Sequence, residues 1–219
     1  MAKPIIEINL ERLKNNLSSI KKIIVNNSIL AVVKADAYGH GVIPIAKTLE
    51  QSGIKFFAVF TIYEAIELRK NGIISDIIIF ERLSKESFKL AIKYNIIVNV
   101  SWYSDLELFK KNNSKNFNCP KYHFKIDTGM TRLGIPYESS EKFINNFISS
   151  TNIVPDGIYT HLSTADEGDL SFAIKQKNRF DKILFSLKNK INFKWIHLSN
   201  SGGVSNIDNS NYNLVRVGM

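Results

Sequence analysis

Apolar residues in this chain fall into short continuous runs, separated by stretches in which they recur every three or four positions. The runs are Ile29–Lys34, Phe56–Phe60, Ile77–Phe80, Ile96–Val100, Tyr122–Ile126, Val154–Tyr159, Lys194–Leu198 and Asn213–Val217. They are rich in Ile, Val and aromatics and nearly continuous in apolar character, the mark of strands covered on both faces. Between them, Leu10–Val25 carries Leu10, Leu13, Leu17, Ile20 and Ile24 at helical spacing. Ile43–Gln51, Tyr63–Lys70, Lys85–Tyr94, Ser104–Lys111, Ser140–Ile148 and Ser171–Lys188 are of the same type. Gly53 and Gly72 follow helices where a C-terminal cap is needed. Asp169 or Ser171 is placed to cap the long helix, and Asn112–Asn118 reads as a polar surface loop.

Eight strands alternating with helices predict an α/β protein, a (β/α)8 TIM-type barrel forming a single domain over residues 1–219. An open doubly wound sheet is the alternative; its Gly-x-Gly-x-x-Gly fingerprint is absent. Val215-Arg216-Val217-Gly218-Met219 fall inside or just after the eighth strand. The expectation is therefore a barrel truncated before its closing helix.

Composition changes this picture little. Hydrophobic residues make up 44% and charged residues 22% of the 219, an ordinary globular balance. The net charge of +9 could attract nucleic acid or an anionic membrane. The lysines are scattered, however, without a basic run interleaved with aromatics, so a solvated basic surface is the expectation. No apolar run approaches the ~20 residues of a membrane helix. Cys119 is the sole cysteine; with no signal-peptide pattern at the start, a cytoplasmic location is expected.

Barrel enzymes work at the C-terminal ends of their strands, and the reactive residues fall there. Strand one ends at Lys34, and the fifth leads through Lys125 and Asp127 to Arg132. The sixth ends at His161, the seventh leads to Asn200 and Ser201, and the eighth carries Arg216 and Gly218. A lysine closing a buried strand is a candidate nucleophile for a carbonyl; a pairing with Asp36 is the plainer reading. Ser201-Gly202-Gly203 and Gly218 could direct backbone N–H groups at an anion, or could simply be tight turns. Arg132 suits a carboxylate, or a salt bridge with Asp127. His161 could stack on a planar ligand or shuttle protons. His40, His123, His197, Asp127 and Asp166 form no recognisable ligand set, so no metal is expected.

At these positions the sequence resembles a known family. Ala31-Val32-Val33-Lys34-Ala35-Asp36-Ala37-Tyr38-Gly39-His40-Gly41 is similar to the pyridoxal-phosphate attachment motif of alanine racemases. Ile6-Glu7-Ile8-Asn9-Leu10 resembles the family's opening segment. Lys125-Ile126-Asp127-Thr128-Gly129-Met130-Thr131-Arg132-Leu133-Gly134 and Tyr159-Thr160-His161-Leu162-Ser163-Thr164-Ala165-Asp166 resemble its central motifs. Asn200-Ser201 and the final Val-Arg-Val-Gly fall in order, so the resemblance covers essentially the whole chain.

The resemblance implies a fold type III barrel holding pyridoxal 5'-phosphate and racemising L- and D-alanine, with D-alanine supplied to cell-wall peptidoglycan. It makes Lys34 the Schiff-base lysine and one of two bases. It places Tyr38, Ser201, Gly218 and Met219 at the phosphate, Arg216 at the pyridine nitrogen, and His161 and Asn200 in the cofactor shell. Arg132 stands near the substrate carboxylate, and Lys125 matches a lysine that is carbamylated in several members. The family has a second, β-rich domain whose tyrosine is the opposite base across a homodimer interface; the expectation from these 219 residues is a chain without that domain, and they read Arg-Val-Gly-Met where the family usually has Arg-Pro-Gly-Ile. The isolated chain is thus expected to bind cofactor and to racemise poorly. The rival reading is a single-domain protein that buffers the cofactor without racemase activity. Serine or a broader range competes with alanine as substrate.

Overall fold

Strand pairing follows the order of the chain. The computed structural model describes residues 5–24, 26–113 and 119–218. Its elements run α1 (Leu10–Ile23), β1 (Ser28–Val32), α2 (Lys34–Gly39), α3 (Val42–Gln51), β2 (Phe56–Val59), α4 (Ile62–Lys70), β3 (Asp76–Ile79), α5 (Lys85–Tyr94), β4 (Val98–Val100) and α6 (Asp105–Asn113). They continue with β5 (Tyr122–Asp127), β6 (Ile135–Pro136), α7 (Tyr137–Thr151), β7 (Gly157–Tyr159), α8 (Ser171–Leu187), β8 (Trp195–His197), α9 (Ser201–Asn206) and β9 (Leu214–Gly218).

Every pairing is parallel, in the order β3-β2-β1-β9-β8-β7-β5-β4. Between β3 and β4 the ladder narrows to one parallel bridge, Ile78–Ile97, held by Ile97 N–H to the Ile77 carbonyl (2.8 Å) and Ile79 N–H to the Ile97 carbonyl (3.0 Å). The result is a nearly closed eight-stranded parallel barrel with a thin seam, as the alternation of runs predicts. The two-residue β6 pairs with β5 outside this ring.

Alternate strand residues serve two cores, because side chains of a strand point to opposite faces. Ala31, Phe57, Ile77, Ile79, Phe124, Ile158 and Val215 join the large cluster between sheet and helices. Leu30, Val32, Phe56, Ala58, Ile78, Ile97 and Leu214 pack together in the barrel interior. The same parity sends Asn99, His123, Lys125, Tyr159, His197 and Arg216 inward. The interior is therefore apolar along β1–β3 and polar along β5–β9.

Helix limits match the expected stretches closely. Leu13 and Leu17 face inward from α1, which ends at Ile23; Val25 and residues 114–118 of the expected polar loop lie outside the described residues. Gly53 and Gly72 adopt φ of +92° and +89° beyond α3 and α4, as helix-ending glycines do. The expected cap of α8 differs: its N-cap is Leu170, without a side-chain cap bond. Asp169 instead accepts from the Ser171 N–H (2.8 Å) and hydroxyl, satisfying the first donor of the helix from one residue further out.

Phe147 on α7 is fully buried among Phe109, Tyr122, Phe124 and Phe143, with ring centroids 5.1 to 5.9 Å away. Phe147→Ala should destabilise the chain by roughly 3–5 kcal/mol, read as a drop in the urea midpoint. A loss below about 1 kcal/mol would mean that this helix does not seat on the barrel as described.

Candidate active site

Parallel strands bring all their C-terminal ends to one rim, and a cavity of about 350 Å³ opens there. Lys34 and Tyr38 reach it from the end of β1, and Phe60 and Phe80 from the ends of β2 and β3. Lys125, Arg132 and Leu133 come from β5 and its loop, Tyr159 and His161 from β7 and just beyond. Asn200 and Ser201 follow β8, and Arg216 and Gly218 belong to β9. The strand-end residues singled out in the sequence thus line one wall, except Asp127, whose carboxylate is taken up by its own loop, and Met219, which lies outside the described residues. A larger groove of about 850 Å³, beside Phe185, Ile191 and Phe193 near the end of α8, contains none of them.

The backbone after β1 is unusual. Ala35, Asp36, Ala37 and Tyr38 all have φ between +51° and +57°, a turn of left-handed helix. Such a turn costs about 1–2 kcal/mol per residue for L-amino acids. Hydrogen bonds hold it at both ends. Glu64 accepts the Ala35 N–H (2.6 Å), and the same carboxylate also takes the Phe60 and Thr61 N–H groups. Asp36 accepts the Val42 N–H (2.6 Å) and does not pair with Lys34. The turn folds Tyr38 back over the strand end, with Lys34 Nζ 6.0 Å from its ring centroid. Lys34 is half-buried at the cavity edge, less enclosed than its apolar run suggests.

Four basic side chains, Lys34, Lys125, Arg132 and Arg216, line the cavity, and among the described residues no carboxylate does. Burial, reinforced by the charges of Arg216 and Arg132, pushes the Lys125 ammonium down to about 7. The same causes push His161 to about 3, which keeps it neutral. Arg216 is lowered by burial to about 10 and stays cationic near neutral pH. A site of this charge suits an anionic ligand. Arg132 is exposed and has no bond to Asp127, whose carboxylate caps the Gly129 and Thr131 N–H groups instead.

The polar wall is held rigidly. Arg216 Nη2 donates to the Thr160 and Leu198 carbonyls (2.8 Å each) and lies 3.3 Å from His161 Nδ1. Asn200 caps α9 through Gly203 N–H (3.1 Å) and ties it to the Leu162 carbonyl. From α8, buried Gln176 accepts the Ser163 N–H and donates to the His161 carbonyl, and Arg179 donates to the Thr128 carbonyl.

Two features point to a bound group. The Tyr159 hydroxyl is buried at the cavity without a partner, and a buried unpaired polar group is costly unless something fills the need. At the other end, Tyr38 Oη, Ser201 Oγ and the Gly218 N–H form a cradle. Gly218 N–H donates to Ser201 Oγ (3.2 Å), and a Cβ at Gly218 would stand 2.8 Å from Tyr38 Oη. Small donors with no side chain between them, beside cations, fit a phosphorylated planar cofactor. Sequence reasoning missed Tyr159 and Glu64. Tyr159 stood in a recognised motif but was given no role of its own, and Glu64 was hidden in a helix of ordinary surface pattern.

Comparison with known proteins places this architecture. A profile of the N-terminal domain of alanine racemases matches residues 8–219. The alanine racemase of Fusobacterium nucleatum is 40% identical over 218 residues, 98% of this chain and 59% of that protein. That of Carboxydothermus hydrogenoformans is 36% identical, over 97% of this chain and 58% of its own length. The solved alanine racemase of Clostridium difficile 630 superposes with a TM-score of 0.90 at 33% identity, over 97% of this chain and 56% of that one. The enzyme of Bacillus anthracis with bound L-Ala-P gives 0.86 at 30% identity, over 99% and 58%. The chain therefore spans a little under three fifths of the length of these relatives. With its barrel, its cavity and these matches in agreement, the chain belongs to the alanine racemase family, whose N-terminal domain it carries.

Proposed function

We propose that this chain is the cofactor-holding part of a pyridoxal-phosphate-dependent isomerase that interconverts L- and D-alanine. The observation that carries the reading is the cavity itself: four basic side chains and, among the described residues, no acid, closed around a lysine at the end of β1. Tyr38, Ser201 and the Gly218 N–H would hold the phosphate, and Lys34 would hold the cofactor's aldehyde carbon through Nζ. When bound, the cofactor supplies an electron sink that acidifies the α-proton of an amino acid.

The chain's own residues shape that chemistry. Lys34 Nζ moves the proton on one face of the α-carbon. Arg216, cationic and pinned by two carbonyls, would oppose a second positive charge on a cofactor ring held beside it. Neutral His161 and the apolar rings of Phe60 and Phe80 add no further charge. Arg132 is free to meet a substrate carboxylate. Lys125 makes no ion pair or hydrogen bond among the described residues, although the Asp127 charge acts on it; with its amine lowered to about 7 it is suited to carbamylation, which would give Arg132 an anionic neighbour.

Racemisation also needs a base on the opposite face, which by the family resemblance is a tyrosine of a second domain in a homodimer. The proposal assigns cofactor binding to this chain and turnover to an assembly that provides that tyrosine. A cytoplasmic role in supplying D-alanine for peptidoglycan, with no metal and no nucleic acid involved, completes the reading. The curated relatives are named alanine racemases, which favours this reading over a cofactor-storage protein.

Titration with pyridoxal phosphate should raise a saturable absorbance band. Lys34→Ala should weaken binding at least tenfold, about 1.4 kcal/mol. Equal binding by both proteins would contradict the assignment of Lys34.

Carbamylation requires the neutral amine, so it should grow as pH rises through about 7 and vanish well below that value. A carbamate signal from 13C-labelled bicarbonate, present in the parent and missing in Lys125→Ala, is expected in the NMR spectrum. A signal that persists in the variant would show that another amine reacts.

A further inference from the structure

The polar half of the barrel interior contains a chain of side chains that the cavity does not require. Arg216 Nη1 lies 2.9 Å from His197 Nδ1, and His197 Nε2 lies 2.9 Å from His123 Nδ1. His123 Nε2 then faces Asp156 Oδ2 at 3.8 Å. These last two atoms are both buried and have no hydrogen-bond partner among the described residues, so each is left to face the other. Asp156 directly precedes β7, so it stands at the N-terminal mouth of the barrel, opposite the cavity. Four elements, β9, β8, β5 and the start of β7, thus supply one line of groups running through the barrel.

The direction of that line follows from chemistry. A guanidinium only donates hydrogen bonds, so His197 Nδ1 must accept from Arg216. Burial keeps both imidazoles neutral, lowering His197 well below its ordinary value and His123 in the same direction. A neutral His197 then carries its proton on Nε2 and donates it to His123 Nδ1. His123 carries its own proton on Nε2, aimed at the Asp156 carboxylate. The dipoles point the same way along the row, which strengthens the two hydrogen bonds within it.

Packing holds the row in place. The Tyr159 ring stacks on His197 at 4.6 Å and 9°, and Phe56 sets its ring edge-on to His123 at 5.8 Å. Gly157 leaves the space that His123 occupies: a Cβ there would stand 2.8 Å from His123 Cε1 and 2.7 Å from the Trp195 carbonyl. Arg216 is 3% exposed and forms no direct ion pair among the described residues. Its carboxylate counter-charge in the row is remote. At that mouth Asp76 and Lys194 act on His123, Lys194 and Lys121 act on Asp156, and Lys21 and Lys55 stand nearby among the described residues.

We propose that Asp156 is a positioning residue for the active site, acting from the far mouth of the barrel through His123 and His197 as the relayed counter-charge that orients and holds the Arg216 cation. Its effect on a bound cofactor rests on the function proposed above; the relay itself does not.

The test is 15N NMR of the histidine rings and the Arg216 guanidinium in the cofactor-free chain, followed by a pyridoxal phosphate titration. The parent should show both histidines as the neutral Nε2–H form. Asp156→Ala should shift the ring signals of His123 and His197 and the guanidinium signal of Arg216, Asp156→Asn less so, and Asp156→Glu should restore them. Cofactor affinity should fall roughly fivefold in Asp156→Ala, with a displaced absorbance maximum, the size of effect expected for coupling through a packed chain. A general loss of stability would not move that maximum. Unchanged His197 and Arg216 signals in a folded Asp156→Ala or Asp156→Asn protein would overturn the proposal, as would either ring in the Nδ1–H form. If the parent chain binds no cofactor, the function proposed above fails, and the NMR signals alone still decide this one.

Discussion

Like charges gathered in a small space repel, and the cavity of this protein gathers Lys34, Lys125, Arg132 and Arg216 with no carboxylate on its wall among the described residues. The rest of the site answers that constraint. His161 and Lys125 give up charge by burial and proximity. Arg216 keeps its charge because carbonyls and an imidazole lone pair surround it. What remains is a positive field with fixed donors, suited to a phosphate and a carboxylate. The barrel makes this possible by giving one half of its interior to apolar packing and the other half to polar groups.

The second constraint is backbone strain beside the reactive lysine. Four consecutive left-handed residues are unfavourable unless the surroundings impose them. Glu64 and Asp36 impose them by taking N–H groups at either end of the turn. The turn brings Tyr38 and Lys34 to the same edge of the cavity, a placement that a right-handed helix in this position would not give. Strain and function thus occupy the same six residues.

Much of this was legible in the sequence. Strands buried on both faces read as continuous apolar runs, and their alternation with amphipathic stretches gave the barrel. The rule that barrel sites lie at strand ends then selected Lys34, Lys125, Arg132, His161, Asn200, Ser201, Arg216 and Gly218 from distant segments. The left-handed turn was not legible, because Ala-Asp-Ala-Tyr carries no local sign of handedness. Nor was the polar interior: in a strand covered on both faces nothing marks which alternate residues turn inward, so His123, Tyr159 and His197 looked like strand filler. The six-residue α9 was too short to show a period, and the support given by Glu64 depends on a contact 29 residues away from Ala35.

The central claim is that the strand ends on this rim assemble one cofactor site on Lys34. Borohydride reduction of the chain mixed with pyridoxal phosphate, followed by peptide mass spectrometry, tests it most directly. The account predicts a single stable label on Lys34, with the many surface lysines left unmodified. A label spread over surface lysines, or none at all, would contradict it.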